Sequence, residues 1–356
     1  MLATQPLHQL VQDSKASRAF NGNLLPSNNN ASVLDLENLR SITVVEDDSK
    51  QSVPVAVGIF HSYTPNQYYC SAVATSDKYN DVFVNLAPIK RKAGEIGVSE
   101  DVADNHYVYK VAEKKTELKD LSGFSPYYSV FGKPEATPLL QSVIDELIDN
   151  AGHKNFDMKK NITVDLYVGE KSNDESIDLW RDKSGFVVSD KYRFLEYEVE
   201  RPKLLSLLES SAKPSEYKFE SLSAKTAVLF LDYDSNITVI DRQEYLEFLF
   251  GLQGVRGTVA IDAENQPVGY VLTLGERVLQ LYADTEEIAE SILLHHLRSE
   301  TVPILQFFVI SNNELFKKIS AIASNEKRVN RYHTRILPSN VKWGNVFFLN
   351  MGAHLY

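Results

Sequence analysis

Apolar and polar residues alternate over two early stretches, "RSITVVEDD" and "VPVAVGIFHSY", and the polar connection "EDDSKQS" between them predicts a hairpin. Residues 1–37 precede this alternation as an N-terminal extension: a short helical pattern, then the loop-forming cluster "NGNLLPSNNNAS". Further along, "QYYCSAVAT", "DVFVNLA" and "HYVYKVAE" read as strands separated by charged loops, and "SPYYSVF" as another strand. In "TPLLQSVIDELIDN" the apolar positions Leu139, Leu140, Val143, Ile144, Leu147 and Ile148 fall at helical spacing. Thr137 is the expected N-cap, with Pro138 in the first turn. "NITVDLYVG" (strand), "DESIDLWRDKSG" (helix) and "YRFLEYEV" (strand) complete a first domain over 38–208.

The polar, Pro-containing segment 209–223 reads as a linker, and a second domain occupies 224–356. It opens at "KTAVLFLDYD", where Asp232, Tyr233 and Asp234 are expected to turn out of a strand. A helix "RQEYLEFLFG", a hairpin "GTVAIDAENQPVGYVLTLG", a helix "TEEIAESILLHHLRS", a strand "PILQFFVIS", a helix "NNELFKKISAIAS" and a closing strand "NVFFLNMG" follow. The two halves share this rhythm. Two copies of one α/β (α+β) unit are therefore the expected architecture.

Composition narrows the function classes. At 356 residues, two domains is the ordinary expectation, and 43% hydrophobic residues suffice for two cores. A net charge of −11 works against nucleic acid and against anionic membrane, so neither is an expected partner. The sequence has no apolar run of the roughly 18 residues a membrane span needs, and its start lacks the apolar core of a secretory signal. A single cysteine, Cys70, permits no internal disulfide and fits the reducing cytoplasm. Two basic runs, "IKRK" and "NEKRVNRYHTR", read as solvated faces, or as contacts to an anionic cofactor's phosphates.

Several tempting motifs are structural on this reading. "GLQGVRG" leads into a strand, whereas a phosphate loop must open a helix. His295 and His296 are adjacent on a helix, so their side chains point about 100° apart and do not share a metal. Neither a Gly-x-Ser-x-Gly elbow nor a Cys/His metal spacing occurs, and no metal is expected.

The pattern Asn173, Ser176, Leu179, Trp180, Lys183, Gly185, Phe186 resembles the late signature of the GNAT (Gcn5-related N-acetyltransferase) superfamily. The second half, through "DYDSNITVIDRQEYL", "PVGYVLTL", "LYADTEEIAESIL" and "RYHTRILP", resembles the acetyltransferase-type domain of YitH-like proteins. The resemblance implies two tandem domains, each a mixed, mostly antiparallel sheet that splays between central strands and is flanked by helices. Acetyl-CoA would sit in the splay, its pantetheine arm on strand backbone and its diphosphate on the next helix's N-terminus, where free N–H groups and the dipole favour an anion. In the first half the strands after Ser125 and after Asn161 would form that splay, with Gly132, Lys133 and Asn173 as the cofactor contacts.

Both expected phosphate loops depart from the family pattern of Arg/Gln-x-x-Gly-x-Gly/Ala. Residues 131–136 place Phe131 at the basic or amide position and Pro134, which has no N–H, at the central glycine; Glu135 adds a negative charge and Lys133 alone compensates. Residues 284–289 put Asp284, Glu286 and Glu287 at the mouth of the helix. One lost charge-assisted hydrogen bond and one facing carboxylate would cost roughly 2–4 kcal/mol, or about 30- to 1000-fold in affinity. Trp180 stands where many members carry a tyrosine that protonates the departing thiolate, and an indole is no proton source at neutral pH. Tyr127, Tyr128 or a water would have to replace it. The expectations are thus an acetyl-CoA-dependent N-acyltransferase acting on a small-molecule or peptide amine, a GNAT-fold scaffold that has lost the cofactor, or a sensor of a smaller ligand.

Overall fold

The computed structural model describes Leu10 and residues 39–48, 51–64, 66–79, 82–90, 106–115, 136–150, 160–168, 178–211, 216–239, 241–310, 314–336 and 341–349. The chain divides into two compact units. The first comprises Met1–Asp190 with Arg331–Leu337, the second Lys191–Asn330 with Pro338–His354.

In the first unit, β1 (Leu39–Asp48), β2 (Gln51–Thr64) and β3 (Gln67–Thr75) form an antiparallel meander. A bulge between Val44 and Val45 interrupts the β1–β2 register. On the far side of β1, β5 (His106–Lys115) pairs in parallel, followed by β4 (Phe83–Ile89) and the two-residue β6 (Thr137–Pro138). On the other side of the meander β7 (Asn161–Tyr167) runs parallel to β3. Helix α1 (Leu139–Asn150) lies across the meander, with its apolar stripe at zero to nine per cent exposure. Gly58 on β2 permits this close approach, because a Cβ there would run into Val143 and Leu147. The core joins the α1 stripe to Ile42, Val44, Phe60, Val73, Val164, Trp180 and Phe186.

The second unit begins within β8 (Val188–Glu200) and continues into α2 (Arg201–Ser211). Its sheet holds β9 (Lys218–Ser221), β10 (Val255–Ile261), β11 (Pro267–Leu274) and β12 (Arg277–Ala283) as neighbouring antiparallel strands. The β10–β11 turn is an Asx turn: Asp262 Oδ1 accepts from the backbone N–H groups of Glu264 and Gln266, and Asn265 takes φ 60°. Helices α3 (Ala227–Ser235) and α4 (Gln243–Gly251) precede β10. α5 (Glu286–Ser299) packs on β10, β11 and β12, and α3 packs on β11. Alternation along β11 sends Tyr270 to the α3 rings and Val271 into the α5 core, so the two helices occupy opposite faces. β13 (Ile304–Ile310) pairs with β8; α6 (Glu314–Ser320), β14 (Asn325–His333) and β15 (Val346–Leu349) complete the described elements. Residues 325–330 of β14 belong to the second unit and 331–333 to the first. Each sheet is mixed, mostly antiparallel and open, with helices on its faces.

Several expectations change. Thr137 is not the N-cap of α1. It pairs with Val84 in β6, and its hydroxyl meets Ser142 Oγ at 2.5 Å. The segment with Asp232, Tyr233 and Asp234 is helical rather than a strand end; a short apolar run such as "AVLFL" fits either state, and packing on β11 decides. Within 209–223, where a linker is expected, Lys218–Ser221 is a strand on β10. Strands β12 and β14 and helix α2 escape the sequence reading. "NEKRVNRYHTR" is not uniformly a solvated face: Arg331 is 1% exposed, while Lys327 and Arg328 stay at the surface. The strand expected at "SPYYSVF" lies outside the described residues, and the segment that pairs with the start of β7 is β3. Among the described residues no helix is long and apolar enough to cross a membrane.

Among the described residues, each unit buries an arginine–aspartate pair on its sheet. In the first, Arg331 Nε and Nη2 donate to the two Asp165 oxygens at 2.8 and 2.7 Å, and Tyr69 OH donates to Oδ2 at 2.6 Å. In the second, Arg242 Nη2 and Nε donate to Asp234 at 2.7 and 3.1 Å, and Tyr270 OH donates to it at 2.6 Å. A bidentate guanidinium–carboxylate pair with a third donor offsets desolvation only while all members stand. Asp165→Ala is therefore expected to destabilise the first unit by roughly 3–5 kcal/mol, because it strands a buried guanidinium. Urea unfolding of the full chain measures this. Lys203→Ala, which removes the exposed Lys203–Glu200 pair, should leave the midpoint nearly unchanged.

Candidate functional site

The place to look for an acyl-CoA cleft is where β12 and β13, or β3 and β7, run parallel and then part. In the second unit β12 and β13 pair directly at Arg277↔Gln306. Beyond that point β15 enters between them. Leu281↔Phe348 and Tyr282↔Val346 pair on one side, Phe308↔Leu349 and Val309↔Phe348 on the other. All four β15 residues are buried, and Phe348 stacks on Phe307 with ring centres 4.7 Å apart. The chain's own strand thus holds the backbone positions that the GNAT resemblance reserves for pantetheine.

The N-terminus of α5 is likewise occupied. Thr285 caps it, its hydroxyl accepting from Ile288 N–H at 3.3 Å. Asp284 accepts from Tyr233 OH at 2.9 Å and from Asn345 Nδ2 at 3.0 Å, which ties the loop to α3 and to the approach to β15. Burial, with Asp284 adding to it, holds the Tyr233 hydroxyl well above its ordinary pKa. Glu286 and Glu290 share Lys318, at 3.4 and 2.5 Å. The acids expected at 284–289 are therefore engaged within the protein, and they stabilise the helix that a diphosphate would otherwise stabilise.

The first unit is different. β3 and β7 pair over Gln67↔Asn161, Tyr68↔Ile162 and Tyr69↔Thr163, and no further pairs join them, although both strands continue. Residues 331–336 run along the other side of β7: Thr334 N–H donates to Ile162 O at 2.9 Å, and Asn161 Oδ1 accepts from the N–H groups of Arg335 and Ile336. Tyr69 and Asp165 stand where the strands part. Burial and Asp165 push the Tyr69 phenol well above its ordinary value and the Cys70 thiol up as well. Trp180, on a π-helical turn (Asp178–Lys183), is fully buried and meets Phe186 edge-on at 5.2 Å. Its environment is that of a packing residue, and Gly185 at φ 82° lets the chain turn back for this contact. Gly132, Lys133 and Asn173, with Tyr127 and Tyr128, lie outside the described residues.

Residues 26–188 match the model of a family described as a domain of unknown function, DUF7596. No curated protein matches the chain. Among solved structures, a provisionally assigned acetyltransferase from Pyrococcus horikoshii is similar at 16% identity and a TM-score of 0.47, over 85% of this chain and 76% of that one. A tandem GNAT protein from the clavulanic acid biosynthesis pathway, solved without AcCoA, is similar at 12% identity and 0.42, over 82% of each chain. A GCN5-related N-acetyltransferase from Kribbella flavida is similar at 12% identity and 0.37, over 80% of this chain and 58% of that one.

The two histidines of α5 part as their spacing requires. His295 stacks on Phe219, ring centres 4.5 Å apart. His296 is buried, with Thr258 Oγ1 2.9 Å from Nδ1 and Thr273 Oγ1 2.9 Å from Nε2. Among the described residues no group of three or more His, Cys, Asp or Glu side chains could hold a metal ion. Burial first, then Arg256 and His295, hold the His296 pKa down to about 4, although Glu300 lies 3.6 Å from Nε2 and favours the charged ring. The unfolded chain therefore binds a proton near the ordinary pH 6.5 that the folded unit refuses. Stability of the second unit is expected to be full above that pH and to fall as pH drops toward 4, by roughly 3 kcal/mol in all. Urea midpoints across this window check it, and His296→Gln should flatten the dependence.

Proposed function

We propose that this chain is a tandem GNAT-type protein that works in the cytoplasm as a binding or scaffolding protein, not as an acetyltransferase. The observation that carries this reading is β15, a buried strand hydrogen-bonded to both β12 and β13 where acetyl-CoA would have to enter. The cap on α5 supports it, since Thr285 already takes the Ile288 N–H that a diphosphate would use, and Asp284, held by Tyr233, sets a carboxylate beside it. Trp180 supports it for the first unit, as a buried packing residue where a proton donor is expected.

A second reading confines N-acyl transfer to the first unit, and the parting of β3 and β7 after Tyr69 and Thr163 favours it. Gly132, Lys133 and Asn173 would then hold acetyl-CoA. The nitrogen of a small-molecule or peptide amine attacks the thioester carbonyl, a C–N bond forms, the C–S bond breaks, and the amine's proton leaves while the thiolate takes one up.

Calorimetric titration of the full chain with acetyl-CoA separates the two. The binding-protein reading expects no saturable heat at millimolar ligand. Micromolar binding of one equivalent, lost in Lys133→Glu, would favour the acyltransferase instead. Two equivalents would sink both readings, because the second unit would then have to open at β15.

A further inference from the structure

A pocket of about 640 Å³ lies in the second unit on the outer side of α5, bounded by the end of α2, by β9 and by α6. It is separate from the β12–β13 gap, although Glu286 and Glu287 of its lining also belong to the start of α5. Its volume is within the range of small-molecule sites, roughly 300–1,000 Å³. Leu208 and Leu294 give it apolar surface, and the Phe219–His295 stack, 16° from parallel, gives it a flat aromatic wall. Burial and Arg298 hold the His295 pKa below its ordinary value, so the wall is uncharged near pH 7.

The opposite character comes from α5. Glu286 and Glu287 in the first turn and Glu290 in the next line the pocket. Lys318 is the cation beside them, and it already serves both Glu286 and Glu290. Arg298 is bound to Glu209 at 3.2 Å. Three lining carboxylates therefore face two lining cations, and each cation is engaged. An anion entering here would meet the excess negative charge and would have to break an ion pair to find a donor. A cation meets a field of the right sign and carboxylate oxygens with acceptor capacity to spare.

We infer that this pocket binds a small organic cation, an amine carrying an aromatic or aliphatic body, with its ammonium group toward the carboxylates of α5 and its body against Phe219, His295 and Leu294. Three observations carry this independently: a volume of ligand size, a stacked ring pair, and a charge excess of one sign. The assignment goes beyond the function proposed above and does not depend on whether acetyl-CoA binds.

The test titrates the full chain with 2-phenylethylamine, 2-phenylethanol and 3-phenylpropionate, followed by calorimetry and by amide chemical shifts. The amine is expected to saturate in the millimolar range or below, shifting α5 and β9 amides. The alcohol should bind at least about tenfold more weakly, the difference one charge-assisted contact makes, and the acid should not bind. Glu287→Lys, at an exposed position, should abolish amine binding; Glu287→Gln replaces it should charge reversal disturb the fold, and is expected to weaken binding severalfold. Phe219→Ala should weaken amine and alcohol alike. The inference is overturned if the amine does not saturate, if alcohol and amine bind equally, or if the shifts fall outside the pocket.

Discussion

Where two parallel strands part inside a sheet, each leaves backbone N–H and C=O groups facing a gap, and buried groups of that kind must find partners. That constraint organises the second unit. β12 and β13 separate after one pair, and β15 supplies the missing ladder to both. The four residues Val346–Leu349 are all apolar, so the strand that satisfies the backbone also fills the volume. A cofactor arm would satisfy such a gap only while bound. A strand does so permanently and removes any dependence of the fold on ligand, because stabilisation by a ligand requires that it bind the native state.

The buried ion pairs answer the same constraint for side chains. Asp165 and Asp234 each stand within apolar surroundings, and each receives a forked guanidinium and a tyrosine hydroxyl. Arg331 reaches Asp165 from 166 positions along the chain, whereas Arg242 is only eight from Asp234. The pairs are thus similar in chemistry and different in origin. The long-range one ties a segment set between two stretches of the second unit into the first, so formation of the first unit's β7 surroundings waits on chain that follows most of the second. Loop closure over such a span is entropically costly and slows folding more than it weakens the result.

Much of this was legible in the sequence. Strands β1–β5, β7, β8, β10, β11, β13 and β15 and helices α1, α4, α5 and α6 announce themselves by period, and the paired acids in the first turn of α5 announce its start. Elements went unseen where a local pattern was ambiguous or contrary. "RVLQLYA" is a buried strand whose Gln280 breaks the apolar run, and Gln280 is tolerated because its amide donates to Tyr270. "NEKRVNRYH" reads as a basic surface, since no local feature marks Arg331 as the partner of a carboxylate so far away in sequence. Thr137 looked like a cap because capping is a local rule; a pairing with Val84, 53 residues earlier, outranks it. The candidate site divides in the same way. The acids at 284–289 could be read, but the entry of β15 could not, for strand order is a tertiary fact.

The start of α5 and the gap between β12 and β13 are satisfied by neighbouring parts of the chain. At α5 the Thr285 cap and the Tyr233–Asp284–Asn345 contacts satisfy the helix start, and at β15 the strand satisfies the gap. Asn345 takes part in the first and immediately precedes the second, so the residues that lead into β15 also fix Asp284. The segment that fills the β12–β13 gap is therefore the one that holds the Asp284 carboxylate at the start of α5. On the binding-protein reading, one structural element would stand at both ends of an acyl-CoA, and opening either end would undo contacts that stabilise the other.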